Sequence, residues 1–223
     1  MAKAPLPGTV KTRLVPPLTA EQAAQLYRAL LLDQFEHLRA LGGVARYVFY
    51  APANAEMLFR DLAGADYTYR AQSDGDLGER MKQIIADLWR LGHQNLVLIG
   101  SDLPALPLAI LDKAFVQLAS ADRRVVLGPS EDGGYYLIGM NQPVPALFAN
   151  MTWSHPQVLA ETTRRLDVLG VSYDLLSSWF DLDRVEDLRR LHRAHDSAIA
   201  LAAARTLAYL EQLSKWGCLE LAN

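Results

Sequence analysis

The spacing of apolar residues along the chain predicts helices and strands in alternation. Apolar residues recur at helical spacing after the capping-box pattern of residues 19–22, which predicts a helix from Ala20 to about Leu41. Residues 95–99, in contrast, form an unbroken apolar run that is typical of a parallel strand buried on both faces. The same reasoning predicts strands over residues 46–50, 67–69, 124–127, 135–138 and 171–176. It predicts helices over residues 54–62, 78–91, 108–118 and 155–169, and one or two helices from residue 185 to about residue 213.

This repeated alternation predicts an α/β fold with a mostly parallel sheet, whose ligands bind beyond the carboxyl ends of the strands. The 223 residues, 51% of them hydrophobic, can bury a substantial core, and we expect one domain over residues 1–223. The first strand is predicted to be truncated, because Met1 stands where its last residue is expected. We therefore expect either that residues upstream of Met1 belong to the natural protein or that the following loop is held loosely.

Composition excludes several classes of function. A formal net charge of −3 gives no overall basic field, which argues against nucleic-acid binding. The single cysteine, Cys218, excludes an internal disulfide and a multi-cysteine zinc site. No apolar run approaches the ~20 residues that span a bilayer, and the N-terminus lacks the apolar core of a signal peptide. We therefore expect a cytoplasmic protein that binds no membrane and whose charged partners are small.

The first candidate for a binding site is the opening loop, which is bent by proline and glycine and carries three cations. Lys11 and Arg13 offer the point charge and the planar fork that suit phosphate oxygens, and Lys3 and Gly8 lie in the same loop. The loop is not a Walker A motif, because Val10 stands where that motif requires glycine. A solvated surface turn explains the cations equally well.

Two acidic motifs follow predicted strands. Asp102 comes just after the strand of residues 95–99, where a carboxylate can hold a divalent cation against phosphate oxygens. Asp181 and Asp183 point to the same side of an extended chain, so both can face one cation. Helix N-capping is the alternative explanation for each motif, and for Asp183 the two roles are compatible.

Two polar loops that contain glycine complete the candidates. Gly133 and Gly134 lie between two predicted strands, beside Asp132, and let the backbone approach a ligand closely. Gly78 lies at the polar entrance to a helix, where free amides can meet an anion or a base edge. A hairpin turn explains the glycine pair just as simply.

The chain resembles a bacterial family in six ordered motifs, AKAPLPGTVKTRL, DGDLGERM, GSDLP, GPSEDGGYYLIG, WSHPQVL and DLDRVEDL. The family comprises glycosyltransferase-like proteins of the selenobiology-associated or arsenosugar-biosynthesis type, which are related to the 2-phospho-lactate guanylyltransferases. The resemblance implies a nucleotide-diphosphosugar transferase fold of the GT-A-like kind, a Rossmann-like three-layer α/β/α sandwich. It implies that Asp102 and Asp183 clamp Mg²⁺ or Mn²⁺, with Asp181 as a third ligand. It implies that the opening loop holds phosphates, which matches Lys11 and Arg13. Together with the loop residues described above, the candidates for nucleotide or phosphate binding are Lys3, Gly8, Lys11, Arg13, Gly78, Gly133 and Gly134.

The leading hypothesis is a metal-dependent transferase that acts on a nucleotide-sugar or a nucleotide and a small-molecule acceptor. Glycosyl transfer needs a base for the acceptor hydroxyl, for which Asp132 is the candidate, whereas nucleotidyl transfer from a nucleoside triphosphate to a phosphorylated acceptor needs none. A non-catalytic nucleotide-binding module is the alternative from another class. A helical interaction protein built on residues 193–213 is a weaker one, and homodimer formation stays open.

Overall fold

The computed structural model describes residues 1–119, 122–194 and 198–219, which fall into two compact units. The first unit comprises Met1–Ala71, Ser101–Pro107 and the described residues from Asp181 onward. The second comprises Gln72–Gly100 and the described residues from Leu108 to Phe180. Each unit contains a β-sheet of its own, and the predicted α/β fold is confirmed. The single domain expected over residues 1–223 stays a prediction.

The helices and strands follow one another largely as the apolar spacing predicted. In chain order the elements are β1 (Ala2–Lys3), α1 (Ala20–Arg39), β2 (Tyr47–Ala51), α2 (Glu56–Ala63), β3 (Thr68–Ala71), α3 (Leu77–Arg90), β4 (Leu96–Ile99), α4 (Leu108–Leu118), β5 (Arg124–Pro129), β6 (Tyr135–Met140), α5 (Val158–Leu169), β7 (Ser172–Leu175), α6 (Val185–Arg193), α7 (Ala198–Ala202) and α8 (Ala204–Lys215). The run predicted over residues 185–213 is thus divided among three helices, and its residues 195–197 lie outside the described residues.

The sheet of the first unit is parallel throughout, in the order β1-β2-β3. β1 comprises two residues, Ala2–Lys3, whereas the strand was expected to end at Met1. The reason is that Ala2 still pairs with Tyr50, and the Ala4 amide donates to the Ala51 carbonyl at 2.7 Å. β1 therefore leads directly into the opening loop.

Residues of the opening loop are buried in the first unit, of which the loop is a part. Val10, Lys11 and Leu14 are buried, and the Leu14 amide donates to the Lys11 carbonyl at 2.9 Å. Gly8 has a φ of 75°, a conformation that side chains disfavour, although a Cβ there would meet nothing within 4 Å. The loop therefore needs glycine for its backbone shape, and its packing fixes the point from which the Lys11 side chain extends.

Helix α1 begins with the predicted capping box. The Gln22 amide donates to Thr19 Oγ1 at 3.2 Å, and the Thr19 amide donates to Gln22 Oε1 at 2.8 Å. These two bonds satisfy amides that the first helical turn leaves without a backbone partner. The start of α1 was therefore predictable from four consecutive residues.

A buried carboxylate in the middle of α1 caps the last helix of the first unit. Asp33 Oδ2 accepts hydrogen bonds from the Thr206 amide at 2.7 Å and from the Thr206 hydroxyl at 2.8 Å. Its Oδ1 accepts from the Arg205 amide at 3.1 Å. Asp33 thus satisfies the first turn of α8 from another helix, and it holds α8 against α1.

The sheet of the second unit is mixed, in the order β4-β6-β5-β7. β6 runs antiparallel to both neighbours, whereas β5 and β7 are parallel. The prediction that residues 95–99 form a parallel strand buried on both faces is therefore wrong, because β4 lies at the edge of the described sheet, pairs antiparallel with β6 and buries only alternate side chains. A tight turn reverses the chain before β6, with the Ser130 amide donating to the Gly134 carbonyl at 3.0 Å. The mostly parallel arrangement therefore describes the first sheet, and the hairpin turn makes the second one mixed. Helices α3, α4 and α5 pack on strands of this sheet.

No helix in the described part of the chain is both long enough and apolar enough to cross a bilayer.

Candidate functional site

Two cations and two carboxylates from the predicted motifs meet in the first unit. Lys11 Nζ pairs with Asp102 Oδ1 and also lies 3.2 Å from Asp183 Oδ1. Arg13 Nη1 lies 3.0 Å from Asp183 Oδ2. The Lys11 side chain is only 1% exposed, whereas those of Asp102, Asp183 and Arg13 are 41%, 37% and 60% exposed. The cluster is therefore an accessible pair of carboxylates built around a buried ammonium group.

Backbone hydrogen bonds and buried leucines bring the two acidic segments together. The Leu182 amide donates to the Asp102 carbonyl at 2.9 Å, which joins the residue before Asp183 to Asp102 itself. Leu103 and Leu182 are fully or almost fully buried beside these carboxylates in the chain. Each acidic side chain thus stands next to an apolar anchor, which limits how far the two carboxylates can separate.

The predicted helix-capping role of Asp183 is wrong. Arg184 is the residue that precedes α6, and Asp187, within the helix, accepts from the Arg184 amide at 2.7 Å and from the Asp183 amide at 3.0 Å. Asp187 thus binds the two amides that precede α6, and the Asp183 carboxylate is not the cap of this helix. The Asp183 side chain is left to pair with Lys11 and Arg13.

Tyr27 of α1 connects three parts of the cluster, and sequence reasoning missed it. Its hydroxyl shares a hydrogen bond of 2.6 Å with Ser101 Oγ and accepts from the Lys3 amide at 3.2 Å. Lys11 Nζ lies 5.6 Å from the centre of its ring, within the range of a cation–π contact. Burial, and next the negative charge of Asp102, raise the pKa of Tyr27 above its ordinary value, so the hydroxyl stays protonated.

The two carboxylates have a donor set that fits a divalent cation. A single nitrogen, Lys11 Nζ, contacts both Asp102 and Asp183, so these carboxylates converge on a position of cationic size. Magnesium commonly binds one or two carboxylates together with water and substrate phosphates. Within the described residues, no group of three or more His, Cys, Asp or Glu side chains is arranged to hold a metal ion. The role of Asp181 as a third ligand stays a prediction.

The remaining predicted site residues have structural contacts of their own. The side chain of Lys3 is exposed, and only its backbone joins the cluster through Tyr27. In the second unit, Asp132 Oδ1 accepts from the Gly134 amide at 3.0 Å and so stabilises the turn before β6. A Cβ on Gly133, which has a φ of 90°, would overlap the Pro156 carbonyl. These contacts explain the turn without a ligand, and the predicted binding and catalytic roles of its residues stay predictions.

The need for glycine at position 78 is explained in part by the packing of a tryptophan in the second unit. A Cβ on Gly78 would lie 2.7 Å from Trp153 Cζ2, so only glycine lets the indole lie on the start of α3. Among the described residues, Trp153 Nε1 is buried without a hydrogen-bond partner. The predicted nucleotide contact of Gly78 stays a prediction, and the indole beside it was not predicted.

Comparisons with known proteins extend these observations. A family profile described as "Uncharacterized protein conserved in bacteria (DUF2064)" matches residues 34–155, a segment that contains Asp102 but neither Lys11 nor Asp183. No curated protein matches the chain. A solved structure from Desulfovibrio desulfuricans G20, that of a proposed nucleotide-diphospho-sugar transferase, is 32% identical to this chain. The match has a TM-score of 0.87 and covers 96% of this chain and 92% of that one. The more specific family type indicated by the motifs stays a prediction.

Proposed function

The chain belongs to the DUF2064 family of proteins conserved in bacteria, and from this premise we propose that it is a metal-dependent transferase acting on a nucleotide-sugar or a nucleotide. The observation that carries the proposal is the convergence of Asp102 and Asp183 on one cationic position, with Lys11 and Arg13 beside them. The similarity to the proposed nucleotide-diphospho-sugar transferase from Desulfovibrio desulfuricans G20 supports the same class of reaction.

Each residue of the cluster has a chemical role in such a reaction. Asp102 and Asp183 hold Mg²⁺ or Mn²⁺, which, when bound, neutralises charge on the phosphate oxygens of the substrate. Arg13, more than half exposed, presents a planar fork that can bind two phosphate oxygens. Lys11 supplies a second positive charge from a buried position, where solvent screens it less. Charge that develops on a leaving phosphate is thereby stabilised.

A second candidate is nucleotidyl transfer to a phosphorylated acceptor, which differs from glycosyl transfer in its need for a base. Glycosyl transfer needs a base for the acceptor hydroxyl, and the candidate Asp132 uses one carboxylate oxygen to hold the Gly134 amide. Nucleotidyl transfer to a phosphate needs no such base. The two reactions differ in their products, because the first releases a nucleoside diphosphate or monophosphate and the second releases pyrophosphate.

The test is incubation of the full chain with separate nucleotide-sugars and nucleoside triphosphates, with and without Mg²⁺, and with candidate acceptors. Calorimetry measures binding, and product analysis distinguishes released nucleotide from pyrophosphate. We expect Asp102→Asn to lose metal-dependent nucleotide binding, whereas Asp112→Asn, on the exposed face of α4, keeps it. Absence of binding to every nucleotide and nucleotide-sugar would overturn the proposal, as would unchanged affinity in Asp102→Asn.

A further inference from the structure

Lys11 is a buried cation whose environment contains two carboxylates. A buried ammonium group is costly unless it is paired and hydrogen-bonded. Lys11 Nζ meets this need with Asp102 Oδ1 and Asp183 Oδ1, while the Tyr27 ring lies 5.6 Å away. The two carboxylates that pair with Lys11 are the same two that are proposed to hold the divalent cation. The lysine therefore stands where that cation would make its protein contacts.

The backbone of Lys11 is held in place, so the residue as a whole cannot move away from Asp102 and Asp183. Its φ of 49° lies in the left-handed region, which residues with a side chain adopt rarely. The Leu14 amide donates to its carbonyl at 2.9 Å, and both Val10 and Leu14 are buried. Movement of Nζ must therefore come from the four-carbon side chain, which pivots about a fixed Cα.

An ammonium group and a divalent cation compete for these carboxylates, because like charges repel at contact distance. If Nζ leaves Asp102 and Asp183, it must find another anion, since an unpaired ammonium at this depth is unfavourable. A phosphate group at the cluster meets that need, and Arg13, which contacts the other oxygen of the Asp183 carboxylate, offers a second cation to hold it. Exchange of partners by Lys11 thus links metal binding to phosphate binding.

We infer that Lys11 is an internal competitor of the divalent cation, so that the site takes up the metal together with a phosphate-bearing ligand and binds the metal poorly alone. This inference rests on the proposed function and adds that the metal binds together with the phosphate-bearing ligand. By linkage, whatever factor phosphate adds to metal affinity, the metal adds to phosphate affinity. The lysine thereby disfavours a bound metal with no substrate.

The test is binding of Mn²⁺ alone to the full chain, measured by the electron paramagnetic resonance signal of free Mn²⁺. Lys11→Met keeps most of the apolar stem and removes the charge, and Lys11→Gln is a second variant that keeps polarity. We expect both variants to bind Mn²⁺ at least ~10-fold more tightly than the wild type, within the usual range of coupling between sites. Lys113→Met, an exposed substitution on α4, controls for loss of general surface charge and leaves Mn²⁺ affinity unchanged.

A second experiment tests whether the gain in Mn²⁺ affinity depends on the two carboxylates. Its outcomes also distinguish failure of this inference from failure of the proposed function. Adding Asp102→Asn to Lys11→Met removes the gained Mn²⁺ affinity if the inference is right. If the wild type binds Mn²⁺ with a nucleoside diphosphate, but neither lysine variant gains affinity for Mn²⁺ alone, the inference is overturned and the proposed function stands. If no variant binds Mn²⁺ or nucleoside diphosphate in any combination, both are overturned.

Discussion

Replacing Tyr27 by phenylalanine tests whether its hydroxyl holds the two segments beside the cluster. The substitution keeps the ring under Lys11 and removes only Oη, which bonds Ser101 Oγ at 2.6 Å and the Lys3 amide at 3.2 Å. Both partners lose a bond, and Ser101 is buried. Because leaving a buried polar group unpaired costs roughly 1–3 kcal/mol, we expect the free energy of unfolding to fall by about 2 kcal/mol.

Urea denaturation measures this change, and a double-mutant cycle assigns it. Ser101→Ala removes the partner hydroxyl, so the double variant should cost less than the sum of the single variants, by about 1 kcal/mol. Tyr209→Phe, in half-buried surroundings on α8, is the control and should change stability by less than about 0.5 kcal/mol. Additive effects of Tyr27→Phe and Ser101→Ala would refute the reasoning, because they would show no coupling between the two hydroxyls.

Three further changes test the contact between α1 and α8 in the first unit and two contacts in the second unit. Asp33→Ala leaves the Thr206 amide and hydroxyl buried without their acceptor, and it should lower the free energy of unfolding in urea by about 3 kcal/mol. Gly133→Ala should cost about 2 kcal/mol more than Gly92→Ala, because both have a positive φ but only the first Cβ meets backbone. Hydrogen bonds from Arg164 and then Arg165 lower the pKa of Glu161 to about 2 from 4.5, so its contribution to stability is present above pH 4.5 and is lost as the pH falls to about 2. Glu161→Gln should therefore flatten the acid dependence of stability in that range, and an unchanged dependence would contradict the assignment.

Features that depend on neighbouring residues were predictable from the sequence. The capping box of α1 needs only residues 19–22, and the existence of strand β4 needs only a short apolar run. The apolar run did not predict the antiparallel pairing of β4 with β6, because pairing depends on distant residues. The predicted start of a helix was wrong where a specific turn precedes the helix. Helix α5 begins at Val158 instead of the predicted His155, because the residues before it pack Pro156 over Gly133.

Features that depend on distant residues were predictable only in part. The motifs placed Lys11, Asp102 and Asp183 in one site, although 91 residues separate the first from the second. They did not predict that the lysine contacts both carboxylates, because the lysine had been assigned to phosphate and the aspartates to a divalent cation. Tyr27 and Asp33 carried no signal, since each lies among apolar residues of α1 and resembles an ordinary position of the helix. Their partners, Ser101 and Thr206, become neighbours only when the chain folds.

The unequal burial of the charged groups explains why the cluster is suited to exchange of partners. The carboxylates of Asp102 and Asp183 are 41% and 37% exposed, so water can solvate them while they exchange one cation for another. Lys11 has no such freedom, because its side chain is almost fully buried and its charge requires an anion at all times. A metal alone would pair with the two carboxylates and leave the Lys11 ammonium group without an anion. A metal bound with a phosphate would give Asp102, Asp183 and Lys11 each a partner of opposite charge. On the proposed competition between Lys11 and the metal, the cluster binds a metal together with a phosphate better than it binds either one alone.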